Sequence, residues 1–261
     1  MKVGVIGAGT MGASIAGVCG SKNEVFVFDS DPGAVEKASM RLRGKNIRFY
    51  GDFDAAELRN CDIIVEAIFE NAKAKMELFS HLDSICDEKT VFCTNTSSIS
   101  ITALAASTKR ARKFCGMHFM NPPDVMKLVE VVRGVHTSEE TLEFCMGFVR
   151  SLDKEPIICE DSPGFIVNRL LIPMINEACC LLECGVAVKE DIDWAMKLGA
   201  NHPIGPLKLA DLIGIDVCLA IMESIHVQTG DQKYRPSPLM RKMVDAGQMG
   251  RKTKKGFYEY S

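Results

Sequence analysis

Over roughly its first 160 residues the chain alternates short apolar runs with amphipathic stretches, and after that only helical periodicity remains. Short runs rich in Val, Ile and Phe, bounded by glycine or polar turns, are the mark of buried strands. Residues 3–6, 24–28, 62–68, 90–94, 114–119, 127–132 and 155–159 fit that mark, with a further strand near 47–50. Helical patterns follow several of them, at 13–18, 70–82, 99–106 and 138–152. This alternation predicts an α/β fold whose first domain is a Rossmann-type, mostly parallel sheet. It ends at Asp161-Ser162-Pro163-Gly164, where Ser162 suits an N-cap and Pro163 the first helical position. A long helix through Glu183 is predicted there, kinked at Pro173 and apolar almost all round, so that it must sink into a core or an oligomer interface. More helices are predicted at 189–198, 207–212, 216–228 and 238–245. The expected division is a sheet domain over 1–160 and an all-α domain over 161–261.

Composition narrows the partners. At 261 residues, 47% hydrophobic and 25% charged, the chain is ordinary globular material with enough length for two modest domains. Its 31 basic and 34 acidic residues leave a net charge of -3, so nucleic acid is not the expected partner. The eleven cysteines are scattered, mostly in apolar surroundings, and lack CxxC pairs or a Cys/His spacing suited to zinc. Buried free thiols in a reducing compartment, with no metal, are the expectation. A strand directly after Met1-Lys2 leaves no room for a signal peptide, and no apolar run reaches spanning length, so the cytoplasm is expected and a membrane is not.

The most specific chemistry lies at the start. Gly7, Ala8, Gly9, Thr10, Met11 and Gly12 form G-x-G-x-x-G between a strand and a helix, and Asp29 closes the next strand. In that context the motif is a dinucleotide-binding fingerprint. The first glycine allows a tight turn, the second lets backbone approach a pyrophosphate, and the third permits close helix packing. The helix N-terminus offers free N–H groups to the anion. Asp29 would accept the ribose hydroxyls. A 2′-phosphate would be repelled by Asp29 and Asp31, and no arginine adjoins them, which favours NAD over NADP.

A second constellation lies in FCGMHFMNPPDVMKLVEVV, residues 114–132. His118 falls near the end of one strand and Glu130 among valines on the next, with Asn121-Pro122-Pro123-Asp124 as turn chemistry between them. A lone carboxylate is costly to bury, so an imidazole N–H across the ladder is its natural partner. Spacing alone leaves open a satisfied core histidine beside an unrelated glutamate. Asn95-Thr96-Ser97-Ser98 closes the strand at 90–94, at the edge where open α/β sheets bind ligands. Local sequence favours a capping role for Ser97 or Ser98 ahead of the next helix. Asn168, beside Arg169, is a polar exception near the start of the long helix and faces either solvent or the first domain.

Taken in order, GAGTMG at 7–12, VEAIFEN at 65–71, NTSS at 95–98, HFMNPP at 118–123, KLVEVV at 127–132, PGFIVNR at 163–169, HPIGP at 202–206 and GFYEY at 256–260 resemble the L-3-hydroxyacyl-CoA dehydrogenase family, its bacterial 3-hydroxybutyryl-CoA branch in particular. The resemblance implies His118 as catalytic base, Glu130 as its orienting partner, Ser97 as a hydroxyl contact and Asn168 as a substrate-positioning residue. It implies NAD contacts at Asp29, Glu70, Lys75, Ser97, Asn121 and Lys252 and an acyl-CoA substrate, while the apolar second domain suggests a homodimer built through helices of residues 163–245. One departure stands out. Only roughly thirty residues separate Asp29 from Asp62, too few for the longer helical arm that members carry after the second strand to help hold CoA. A smaller 3-hydroxy acid, as in related carnitine and gulonate dehydrogenases, is the alternative substrate. A non-catalytic NAD-binding or structural protein is the alternative of another class.

Overall fold

The computed structural model describes residues 1–51 and 56–261. The chain divides into two compact units, Met1–Phe165 and Ile166–Ser261.

The first unit is built on an eight-stranded sheet: β1 (Lys2–Ile6), β2 (Glu24–Phe28), β3 (Ile47–Tyr50), β4 (Ile63–Glu66), β5 (Val91–Thr94), β6 (Phe114–Phe119), β7 (Leu128–Arg133) and β8 (Glu155–Glu160), in the order β3-β2-β1-β4-β5-β6-β7-β8. Every pairing is parallel except β6 with β7. Among the described residues six α-helices serve it: α1 (Thr10–Cys19), α2 (Pro32–Arg41), α3 (Ala56–Arg59), α4 (Ala72–Ile85), α5 (Ile101–Ala105) and α6 (Glu139–Ser151). The sheet is apolar on both faces, which is why its strands read as nearly continuous hydrophobic runs. Val3, Val25, Val65, Cys93, Cys115 and Met117 pack with residues of α1 and α6, while Ile64, Phe92, Phe114 and Val132 pack with Phe79 of α4 and Ile101 of α5.

Local chemistry sets the helix starts. Asp31 accepts from the Gly33 N–H ahead of α2, and Asn71 accepts from the Ala74 N–H ahead of α4, so Glu70 lies just outside that helix and not in its first turn. Ser100, not Ser97 or Ser98, caps α5 by accepting from the Ala103 N–H. Asp161 reinforces that end, accepting from Ser100 Oγ and the N–H groups of Ile101 and Thr102.

The second unit is helical: α7 (Val167–Glu183), α8 (Lys189–Ala200), α9 (Pro206–Ile213), α10 (Ile215–Thr229) and α11 (Pro238–Asp245). The long helix therefore begins at Val167 and not at Pro163. Gly164 and Phe165 both adopt positive φ, +77° and +47°, and the Phe165 N–H donates to the Ser162 carbonyl, so residues 162–165 form a turn that no helix can pass through. The turn sends the Phe165 ring into the first unit's core. α7 is also less uniform than its composition suggests: Ile172, Ile175 and Cys179 are buried, whereas Leu170 is 71% exposed. Two buried carboxylates tie the unit together. Asp193 accepts from the Leu207 and Lys208 N–H groups at the start of α9 and from the Tyr258 hydroxyl. Asp211 accepts from the Phe257 and Tyr258 N–H groups and the Tyr260 hydroxyl, which gives GFYEY its structural reason. Among the described residues no helix is long and apolar enough to cross a membrane.

Candidate active site

The antiparallel junction between β6 and β7 sets His118 directly opposite Glu130. Register partners share a face of the sheet with their side chains in contact range. Nδ1 of His118 lies 2.7 Å from Oε2 of Glu130. Glu130 is fully buried and His118 is 5% exposed, so the carboxylate has the imidazole in a setting where an unpaired charge would be costly. A carboxylate only accepts, which places the proton on Nδ1 and leaves Nε2 as the basic nitrogen. Ser97 Oγ stands 3.2 Å from that Nε2. The Phe165 ring centroid lies 5.6 Å from the imidazole centroid and gives His118 an apolar neighbour. Ser97, His118 and Glu130 thus form one chain of polar contacts at the carboxyl end of β6, where open sheets of this type hold their ligands.

The loop that carries Ser97 is held by a carboxylate. One oxygen of Glu70, Oε1, accepts from Thr96 Oγ1 at 2.5 Å, from the N–H groups of Ser97 and Ser98 at 3.0 and 3.1 Å, and from Ser98 Oγ at 3.0 Å. Asn95 Oδ1 accepts the Phe119 N–H, tying the loop to the residue after His118. Behind Glu70 lies Lys75, 1% exposed, with its ammonium 2.5 Å from the buried Glu66 and 3.5 Å from Glu70. Burial pushes the Glu70 carboxyl up, but Lys75 and the hydrogen bonds from Thr96, Ser97 and Ser98 outweigh it and hold the group below the ordinary carboxylate range. Lys75 is the residue that the resemblance implies as a cofactor contact. Its ammonium is buried and committed to two carboxylates, so it neutralises the site from behind.

At the other end of the same sheet edge, the glycine turn has the shape its sequence demands. Gly7 sits at φ +107°, and a Cβ there would come within 2.6 Å of the Ala67 carbonyl oxygen; one on Gly12 would come within 1.9 Å of the Gly7 carbonyl oxygen. A Cβ on Gly9, by contrast, would meet nothing within 4 Å. That open space lies at the N-terminus of α1, which no side chain caps, and matches the room a pyrophosphate needs. Thr10 and Met11 follow in the first turn. The Ala8 N–H donates to Asp29 Oδ2 at 2.6 Å. The Asp31 N–H holds the other oxygen of Asp29 at 2.9 Å. Beside this aimed carboxylate lies a pocket of about 310 Å³ lined by Gly7, Gly9, Asp29, Ile68, Phe69 and Leu78. The residues present fit a dinucleotide. Ile68, Phe69 and Leu78 were not singled out by the sequence reading, although Phe69, 71% exposed, lies inside the VEAIFEN motif and its exposure marks the pocket's rim.

The remaining predicted site residues are Asn121, Asn168 and Lys252. Asn121 is exposed in the β6–β7 connection, ahead of a cis Asn121–Pro122 bond. Asn168 occupies the first turn of α7, in the second unit, and is half-buried. Lys252, also in the second unit, pairs with Asp216 at 2.5 Å.

Comparison with known proteins agrees along the whole chain. The model described as "3-hydroxyacyl-CoA dehydrogenase, NAD binding domain" matches residues 2–50 and 43–162, and the one described as "3-hydroxyacyl-CoA dehydrogenase, C-terminal domain" matches 164–260. A probable 3-hydroxybutyryl-CoA dehydrogenase of Deinococcus radiodurans is 48% identical over 279 aligned residues, with all of both chains covered. The 3-hydroxybutyryl-CoA dehydrogenase of Clostridioides difficile is 46% identical over 283, again covering all of both. The crystal structure of (S)-3-hydroxybutyryl-CoA dehydrogenase from Ralstonia eutropha superposes with a TM-score of 0.94 at 45% identity, covering 100% of this chain and 99% of that one. A 279-position alignment onto 261 residues leaves at least eighteen positions without a residue here. The split of the first family match at residues 43–50 falls in the segment that reads as short.

Proposed function

The chain belongs to the 3-hydroxyacyl-CoA dehydrogenase family, and we propose that it interconverts a short-chain L-3-hydroxyacyl-CoA, such as 3-hydroxybutyryl-CoA, and its 3-ketoacyl-CoA, with His118 as the acid–base group. The Ser97–His118–Glu130 chain carries this reading. NAD is the cofactor and, when bound, supplies the hydride acceptor. The backbone from Gly9 to Gly12 would take its pyrophosphate and Asp29 its ribose hydroxyls, with Glu70, Ser97, Asn121 and Lys252 as further contacts. In oxidation, Nε2 of His118 takes the proton of the C3 hydroxyl. The imidazolium so formed keeps its Nδ1–H on Glu130, whose negative charge stabilises it. In reduction, an already protonated His118 gives that proton to the ketone oxygen. Ser97 lends its hydroxyl to the same oxygen, and Asn168 positions the substrate.

Three points extend this reading. The relatives' names support an acyl-CoA substrate. The short segment after β2 favours a second candidate, a 3-hydroxy acid without CoA. NADH oxidation with acetoacetyl-CoA beside acetoacetate separates the two: turnover confined to the CoA ester supports the first, and equal rates reject it. Exposed Leu170, Trp194 and Leu198 give the second unit apolar surface suited to a homodimer, and light scattering showing a monomer at micromolar concentration would reject that state. The compartment proposed is the cytoplasm, consistent with eleven unpaired thiols.

A further inference from the structure

The sheet face opposite His118 carries a feature the reaction does not use. Cys93 of β5 and Cys115 of β6 are register partners, so their side chains project together from adjacent strands, and Cys145 of α6 meets them from the covering helix. The three Sγ atoms lie 3.7, 3.7 and 3.3 Å from one another. All three residues are fully buried in the apolar cluster that includes Met117, Val131, Leu142 and Phe148. Packing explains why small thiol side chains are buried here. It does not require that sulfurs from three separate elements converge on one point.

The triangle has a definite chemical preference. A centre bonded to all three sulfurs at about 2.3 Å, the usual metal–thiolate length, would stand about 1 Å above their plane, at the apex of a trigonal pyramid. Charge then selects the centre. Three thiolates around a divalent zinc leave one net negative charge, and around monovalent copper two, in a dry apolar core where an uncompensated charge is heavily penalised. A trivalent centre leaves none. Trivalent arsenic and antimony also direct a lone pair from the apex and require no fourth ligand. We propose that Cys93, Cys115 and Cys145 form a binding site for trivalent thiophilic metalloid oxoacids, with arsenous acid as the simplest member.

The step balances without an oxidant. Each S–H passes its hydrogen to one hydroxyl of As(OH)₃, three As–S bonds replace three As–O bonds, and three waters leave while arsenic stays trivalent. Arsenous acid is neutral, and a dry apolar core disfavours an isolated thiolate, so exchange between S–H and As–OH groups carries no charge into the site. Entry to this face requires a local opening of α6, which makes loading slow.

Native mass spectrometry of the reduced, intact protein, incubated to completion with one equivalent of sodium arsenite, tests the site. The expected product is one adduct heavier by one arsenic and lighter by three hydrogens. It is lost in Cys93→Ala, Cys115→Ala and Cys145→Ala and retained in Cys218→Ala. No adduct, an adduct that keeps an arsenic-bound hydroxyl, or persistence of the three-thiol adduct in Cys145→Ala overturns the proposal. Should the alanine variants fail to fold, X-ray absorption at the arsenic edge of the unaltered protein decides: three sulfur neighbours and no oxygen support the site, and any As–O bond rejects it.

Discussion

His118 and Glu130 are held together by backbone pairing: they are direct partners across the β6–β7 ladder, and the 2.7 Å contact between their side chains follows from that register. A side chain placed by a ladder inside a sheet has little freedom to wander, so the imidazole keeps one orientation and one tautomer before any substrate arrives. Such advance placement is what general acid–base catalysis requires.

Replacing His118 tests the role proposed for it. His118→Ala is expected to lower turnover by roughly 10²–10⁴-fold, the usual scale for a general base, with NAD affinity nearly unchanged. Steady-state rates beside calorimetric NAD titrations measure both. Near-normal turnover would remove His118 from the mechanism.

Glu130→Gln tests the charge behind the imidazole. The neutral amide still has an oxygen to accept from Nδ1 but cannot stabilise an imidazolium, so turnover should again fall by roughly 10²–10⁴-fold while the fold persists. A rate within a few-fold of the parent, with unchanged circular dichroism, would reduce Glu130 to a packing role.

The two directions should respond oppositely to acid. Oxidation begins with neutral His118 and is lost as pH falls, whereas ketone reduction begins with the protonated ring and is lost as pH rises. Rate profiles measured in both directions should place the reductive optimum at the lower pH. Coincident optima would argue against proton transfer through His118.

Asp29→Ala should weaken NAD by roughly ten- to hundredfold, the worth of a charge-assisted hydrogen bond. Part of that loss would come through the turn itself, because Asp29 also accepts the Ala8 and Asp31 N–H groups. Unchanged NAD affinity by calorimetry would contradict the ribose assignment.

The Glu66–Lys75–Glu70 group gives a stability prediction with a pH sign. Lys75→Met strands buried Glu66 and should cost roughly 3–5 kcal/mol in urea unfolding. Glu70 is held below its ordinary range when folded, so its contribution is complete above that range and is lost as pH falls through the folded value. The stability gap between the parent and Glu70→Gln should therefore shrink on acidification. A gap that is constant from neutral to acid pH would show that the charge of Glu70 does not hold the 95–98 loop.

The sequence by itself determined the periodic and local features of this protein. Valine-rich runs between turns specify buried strands, the glycine spacing ahead of α1 specifies a phosphate-sized opening, and a glutamate among valines requires the partner it has in His118. Each of these follows from the geometry of a few neighbouring residues. Tertiary structure decided where local rules offered equivalent choices. Ser97, Ser98 and Ser100 are all competent caps, and only the placement of Asp161 and Glu70 gives the cap to Ser100 and leaves Ser97 to face His118. Ser162-Pro163 reads as a helix start, yet burial of the Phe165 ring draws the chain into a left-handed turn first. Lys75 gains its partner only when β4 sets Glu66 beside it. Cys93, Cys115 and Cys145 look unrelated until parallel register aligns two of them and α6 supplies the third. Contacts between residues this distant in sequence depend on strand register and helix docking, which no local pattern encodes.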